Sequence, residues 1–262
     1  MSRFLARVFS ADPQGWILKG GVAMMVRLPR ARHSTDIDLQ ARDGDDPIAE
    51  LERIVRDNNI DAFRFQVKKR SALAGGKGVR ITVEARLGPT VFDTFKIDVV
   101  RPRRELVGAV ELKRLPRLVD TADFPEDPEV QLYPVADQIA DKICGIYETH
   151  PSGASGRFRD LVDLLLIAEY LPIDLGTAVD ALEQERVLRA ITDLPATITA
   201  PSTDWIAGWS RQVATSPLGN HHHNLDAALV AAGCCYNRVL ISLPVVDRTA
   251  RWNPETATWQ ET

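Results

Sequence analysis

Ser34-Thr35-Asp36-Ile37-Asp38-Leu39 places two carboxylates two residues apart, with apolar residues alternating between and after them. In a β-strand successive side chains point to opposite faces. Asp36 and Asp38 then share one face, with Thr35, Ile37 and Leu39 on the other. Two anions on one face repel each other unless a cation lies between them. Hard divalent ions with oxygen ligands, magnesium above all, suit such a pair. The stretch predicts a strand over 34–41 that carries a metal site for phosphate chemistry. Asp-x-Asp alone is also a common turn signal, so the residues around it decide the reading.

Downstream, Val91-Phe92-Asp93-Thr94-Phe95-Lys96-Ile97-Asp98-Val99-Val100 reads as a second strand ending near Pro102. Ile97 and Val99 share one face, and Asp98 opens on the other. If the two strands are neighbours, Asp98 completes a three-carboxylate cluster able to hold two magnesium ions about 4 Å apart. Asp93 is the alternative third ligand, although it lies closer to the strand start. Upstream, Trp16 to Val26 is an apolar run broken by Gly20-Gly21. Backbone without a Cβ can approach a phosphate closely, and the free N–H groups of the next helical turn point at the same anion. A Gly-Gly pair also serves tight helix packing, so alone it is weak.

Taken together, Lys19-Gly20-Gly21 and Arg32-His33-Ser34-Thr35-Asp36-Ile37-Asp38-Leu39 resemble the opening motif of the AbiEii family. These are nucleotidyltransferase-type toxins of bacterial toxin–antitoxin and phage-abortive-infection systems, within the DNA polymerase β-like nucleotidyltransferase superfamily. Two later stretches extend the resemblance. Val135 to Tyr147 has helical periodicity, with Ile139, Ile143 and Ile146 on one stripe. Lys142 matches the family lysine that faces the nucleotide. Arg159, Asp160, Asp163 and Leu164 match its Arg-Asp-x-x-Asp-Leu motif. The four-part order spans roughly residues 16 to 168.

The resemblance implies a metal-dependent enzyme (EC 2.7.7-type) in which an acceptor hydroxyl attacks the α-phosphate of a nucleoside triphosphate and pyrophosphate leaves. Asp36 and Asp38 bind magnesium, or manganese, and Asp98 joins them as a ligand that helps activate the nucleophile. Gly20, Gly21, Ser34 and Lys142 hold the nucleotide, with Arg159 and Asp160 beside them. Lys142 is expected in a cleft between two lobes; a solvated helix face is the alternative for any lysine. Asp160 positions Lys142 or the base. Asp163 is read as structural, because both aspartates can pair with Arg157, Arg159 or Lys142. RNA, with transfer RNA leading, is the implied acceptor, and a cognate antitoxin from a neighbouring gene the implied partner, whether or not the two bind directly. Competing readings are a small-molecule nucleotidyltransferase of the antibiotic-modifying kind, a protein-nucleotidylating enzyme and a degenerate nucleotide-binding regulator.

Composition agrees with a two-lobed enzyme. The chain has 262 residues, 45% of them hydrophobic, and no uninterrupted apolar run of membrane-spanning length, about 18 residues. Residues 1–12 hold too short an apolar run for a signal peptide. Three cysteines, Cys144, Cys234 and Cys235, lack disulfide or zinc spacing, which favours a reducing cytoplasm. Residues 1–120 hold 23 Lys and Arg against 16 Asp and Glu, a net of +7; residues 121–262 hold 9 against 20. The basic half, with clusters at Arg27 to Arg32, Lys68-Lys69-Arg70, Arg101 to Arg104 and Lys113 to Arg117, suits a polyanion.

The expected fold is α+β: a polymerase β-like nucleotidyltransferase core with a small mixed sheet over 1–124, then a mainly helical lobe over 125–262. The pattern predicts helices before Gly20, through Met25, and over 47–58. Strands are expected over 63–68, 78–87 and 91–100, with a flexible loop over 71–78. Pro125 and Pro128 suggest an extended connection. Helices follow over 135–147, 157–170, 175–191, 204–215 and 224–240. His221-His222-His223 is expected as a polar loop, and the tail carrying Trp252 and Trp259 is left between docking and fraying.

Overall fold

The computed structural model describes residues 1–28, 30–42, 46–57, 60–116, 128–149, 153–243 and 248–261. The chain forms two compact units. The first comprises Met1–Pro29, His33–Arg103 and Val110–Tyr133; the second comprises Arg30–Arg32, Arg104–Ala109 and Pro134–Thr262. The expected boundary after residue 124, and Pro125 beside it, lie outside the described residues.

The first unit is a mixed sheet with three helices among the described residues. Its elements are α1 (Ser2–Ala11), β1 (Trp16–Lys19), α2 (Gly20–Arg27), β2 (Asp36–Ala41), α3 (Pro47–Asp57), β3 (Phe63–Ala72), β4 (Gly78–Leu87), β5 (Thr90–Val100), β6 (Glu111–Arg114) and β7 (Glu129–Leu132). The strand order is β3-β4-β5-β2-β1-β7-β6. Pairing of β2 with β5 and of β1 with β7 is parallel, and the other neighbours are antiparallel. One sheet face is apolar: Leu18, Ile37, Leu39, Ile81, Val83, Ile97 and Val99 are buried on it, in one core cluster with Phe4, Val8 and Phe9 of α1 and Leu51 and Ile54 of α3. Such alternation is what a sheet with one covered face requires. α3 starts where Pro47 sets the first turn and the Asp46 carboxylate accepts from Ile48 N–H at 3.1 Å and Ala49 N–H at 3.0 Å.

Several expectations need correction. Trp16–Lys19, read only as the start of an apolar run, is a strand. β3 continues through Ser71 and Ala72, which were expected in a loop, because β4 pairs with it that far through a bulge between Val67 and Lys69. The turn shrinks to a single 3-10 turn at Ala74–Gly76. β6 and β7 have four residues each, too short for periodicity to reveal.

The second unit is mainly helical: α4 (Val135–Tyr147), α5 (Phe158–Tyr170), α6 (Leu175–Leu188), α7 (Trp205–Val213) and α8 (Leu225–Ile241), with a small sheet of β8 (Ile173–Asp174), β9 (Ala250–Asn253) and β10 (Thr258–Glu261). Asp174 caps α6 by accepting from Thr177 N–H at 2.8 Å, and Asn224 caps α8 through Ala227 N–H at 3.1 Å. The histidines lie in and beside the 3-10 turn Asn220–His222, and the His222 carbonyl accepts from Trp209 Nε1 at 3.0 Å. The tail docks. Trp252 Nε1 donates to the Ala168 carbonyl at 2.8 Å, and Trp259 Nε1 to that of Cys235 at 2.9 Å. Among the described residues no helix is long and apolar enough to cross a membrane.

Candidate active site

In the first unit the carboxylates meet on the open face of the sheet. The parallel register sets Asp38 opposite Asp98 and Asp36 opposite Lys96. Paired residues point to the same side, so Asp36, Asp38 and Asp98 share a face, with Ile37, Leu39, Ile97 and Val99 buried behind them. Asp98 does not stand open. Its Oδ1 accepts from Arg80 Nε at 2.6 Å and its Oδ2 from Arg80 Nη2 at 2.7 Å, a two-pronged grip from the next strand. The hydrogen bond to Asp98, with the charges of Asp36 and Asp38 added, raises the pKa of the Arg80 guanidinium. Among the described residues no set of three or more Asp, Glu, His or Cys gathers around a common metal position.

Gly20 opens α2 with φ +63°, in the left-handed region. A Cβ there would stand 1.8 Å from Asp38 Oδ2. The glycine therefore answers to a close approach by the Asp38 carboxylate as well as to the turn. Gly21 follows, buried in the first turn of α2. Lys19, in register with Asp38, lays its ammonium 3.8 Å from the centre of the Tyr133 ring. Ser34 is buried just before β2, and its hydroxyl donates to the Asp36 carbonyl at 3.3 Å.

In the second unit the remaining motif residues form a buried ion network. Lys142, on α4, is 5% exposed. Its Nζ donates to Asp163 Oδ2 at 2.5 Å and to Asp160 Oδ1 at 3.3 Å. Arg32 holds the same Asp163 from another side, at 2.9 and 3.0 Å. Burial pulls the Lys142 pKa down, but Asp163 and Asp160 outweigh it and leave it raised. Burial likewise pushes the Asp163 carboxyl up, and the Lys142 and Arg32 charges outweigh it and hold it below the ordinary value. Arg157 Nε stands 2.5 Å from Asp160 Oδ2 as an ion pair, though not in hydrogen-bond geometry. Gly145 makes room for that pair, since a Cβ there would meet both groups at 3.0 Å. Arg159 is exposed and has no hydrogen bond or ion pair among the described residues. It lines a 480 Å³ cavity with Arg32, Arg157, Phe158, Asp160 and Gln212.

Sequence reasoning grouped Arg27 and Arg32 with the surface cations, yet both are committed inside. Arg27 is buried between Glu111, at 2.9 Å, and the Tyr133 carbonyl, at 2.7 Å. Arg80 was missed. The signal for it was its place among Arg80, Thr82 and Glu84, the polar positions alternating with Val79, Ile81 and Val83.

A family model described as "Nucleotidyl transferase AbiEii toxin, Type IV TA system" matches residues 3–231. The chain belongs to this family. It is thereby a nucleotidyltransferase toxin of a toxin–antitoxin system, with a nucleotide as substrate and a cognate antitoxin implied. All the motif residues above lie within the matched span. Solved structures share the fold. The nucleotidyltransferase toxin MenT4 from Mycobacterium tuberculosis superposes with a TM-score of 0.54 at 19% identity, over 93% of this chain and 82% of that one. A putative nucleotidyltransferase from H. pylori gives 0.50 at 14% identity, over 94% of each chain. A search of curated proteins gave no match.

Proposed function

We propose that this AbiEii-family enzyme moves a nucleotide from a nucleoside triphosphate to a hydroxyl at an RNA terminus, with transfer RNA the leading acceptor. The acceptor oxygen bonds to the α-phosphorus, the bond from that phosphorus to the β-bridging oxygen breaks, and pyrophosphate departs. The observation that carries the reading is the register that sets Asp36, Asp38 and Asp98 on one face of β2 and β5, with Gly20 against Asp38. Asp36 and Asp38 fit a hard divalent ion by donor chemistry and shared face. When bound, magnesium or manganese polarises phosphate oxygens and lowers the pKa of an attacking hydroxyl. Asp98, oriented by Arg80, lies beside Asp38 to receive the hydroxyl proton. The first turn of α2 lies beside Asp38, where its positive end favours the phosphates.

In the helical unit Lys142 serves through the carboxylates it holds. Any direct anion contact would require it to surrender Asp163, so Lys142 is assigned to fixing Asp160 at the cavity wall, where Arg159 is the exposed cation. The net +7 of residues 1–120 favours an RNA acceptor over a small molecule. The test is incubation with each α-labelled triphosphate, magnesium and total cellular RNA or protein. Label on RNA that disappears with chelator and with Asp36→Asn supports the reading. Label on protein moves the assignment to protein nucleotidylation, and label on neither, from folded enzyme, favours a small-molecule acceptor.

A further inference from the structure

The open face of the sheet does not end at the carboxylates. Register carries a row of residues across it: Asp36 on β2 pairs with Lys96 on β5, Lys96 with Thr82 on β4, and Thr82 with Lys69 on β3. All four point to the same side, and β3 is the edge of the sheet. Strands lie about 4.8 Å apart, so the row runs about 14 Å from Asp36 to the free edge. Lys96 and Lys69 are exposed, and among the described residues neither makes a hydrogen bond or an ion pair. Thr94 on β5 and Arg64 and Gln66 on β3 extend the same exposed face.

The placement of Lys69 depends on an irregularity. In an unbroken strand Lys68 would follow Arg64 and Gln66 on this face. The bulge between Val67 and Lys69 brings Lys69 opposite Thr82, while Lys68 stays beside Gln66, its Nζ donating to Gln66 Oε1 at 3.3 Å. Bulges re-aim side chains in this way at sheet edges and beside active sites. On the opposite side β4 and β5 bury Ile81, Val83, Phe95, Ile97 and Val99, so Lys96 and Lys69 take no part in that core.

We propose that this row, Lys96–Thr82–Lys69, is a track for the phosphodiester backbone of the acceptor RNA, leading from the sheet edge to the carboxylates. It rests on the RNA reading above and adds the surface that reading lacks. Two unpaired ammonium groups on a flat polar face offer charge to phosphates without reading bases. The carboxylates at the inner end repel the backbone, so the strand reaches them only at its terminus, where a hydroxyl rather than a phosphodiester is presented.

The test measures binding of a short fluorescein-labelled single-stranded RNA across a salt series. The wild type is compared with Lys69→Gln, Lys96→Gln and the control Arg53→Gln, an exposed cation on α3, against the other face. Each lysine substitution is expected to weaken binding several-fold at low salt. Each should reduce the slope of log affinity against log salt by about 0.7, the value for one phosphate contact on a single strand. The control should keep the wild-type slope. If the wild type binds and both lysine variants keep its slope, the track is overturned while the RNA reading stands. An equal loss in the control also overturns it, as diffuse attraction. If the folded wild type shows no salt-dependent binding, the RNA reading falls and the track with it.

Discussion

Arg80 grips both carboxylate oxygens of Asp98 from the neighbouring strand, at 2.6 and 2.7 Å. A guanidinium therefore already pairs with one of the three acids that the strand register brings to this face. This separates Asp98 from Asp36 and Asp38. In the function proposed above, Asp36 and Asp38 take the metal ion and Asp98 is the oriented acceptor.

Arg80→Gln tests that division. Loss of the charged hydrogen bonds is expected to lower kcat about tenfold or more. It also frees the Asp98 oxygens, so Mn²⁺ binding to the nucleotide-free protein, read by electron paramagnetic resonance, should tighten. Unchanged Mn²⁺ affinity would show that Asp98 stays outside the ligand set whether or not Arg80 holds it.

Gly20→Ala separates backbone strain from crowding at the site. The left-handed conformation costs an L-residue roughly 1–2 kcal/mol, and the new Cβ would fall 1.8 Å from Asp38 Oδ2. Gly88→Ala carries similar strain, at φ +58°, with nothing within 4 Å of the new methyl. Both variants should lose a few degrees of Tm. Only Gly20→Ala should lose nucleotidyl transfer; retained transfer would mean Asp38 need not approach the helix start.

The Lys142 network predicts a pH profile for stability. Asp163 has a folded pKa below the ordinary 3.8, so its contribution is present above that value and lost as pH falls through the lowered one. Lys142 has a folded pKa above the ordinary 10.5, so its contribution is full below that value and lost as pH rises through the raised one. Lys142→Met leaves buried Asp163 to Arg32 alone and Asp160 to Arg157 alone, and should cost up to about 3 kcal/mol. Denaturant titration should find that difference flat between about pH 5 and 9 and shrinking in acid. A variant as stable as the wild type at pH 7 would contradict the buried network.

What could be read from sequence follows from which forces are local. Alternation gave β4 its bounds, Gly78 to Leu87, and put Asp36 and Asp38 on one face, because strand geometry fixes both without a partner. The helices of the second unit were legible from their stripes and caps, Asn224 among them. Pairing was not. That Asp98 faces Arg80, or that Lys142 lies buried between Asp160 and Asp163, depends on which elements come to lie side by side. The bulge that aims Lys69 leaves no composition signal. Trp252 and Trp259 could not be placed because their indole N–H groups bond to main-chain carbonyls, which every residue has.

The alternation within Asp36–Ala41 has a consequence for genetics. One side of this strand builds the core and the other carries the acids, so the two roles share a reading frame of side-chain directions. Deleting or inserting one codon here turns every residue over: acids into the core, Ile37 and Leu39 into water. Such a lesion removes toxicity by removing the protein. On the proposed function, survivors that still accumulate the folded chain are expected to carry substitutions at single positions such as Asp36 or Asp38.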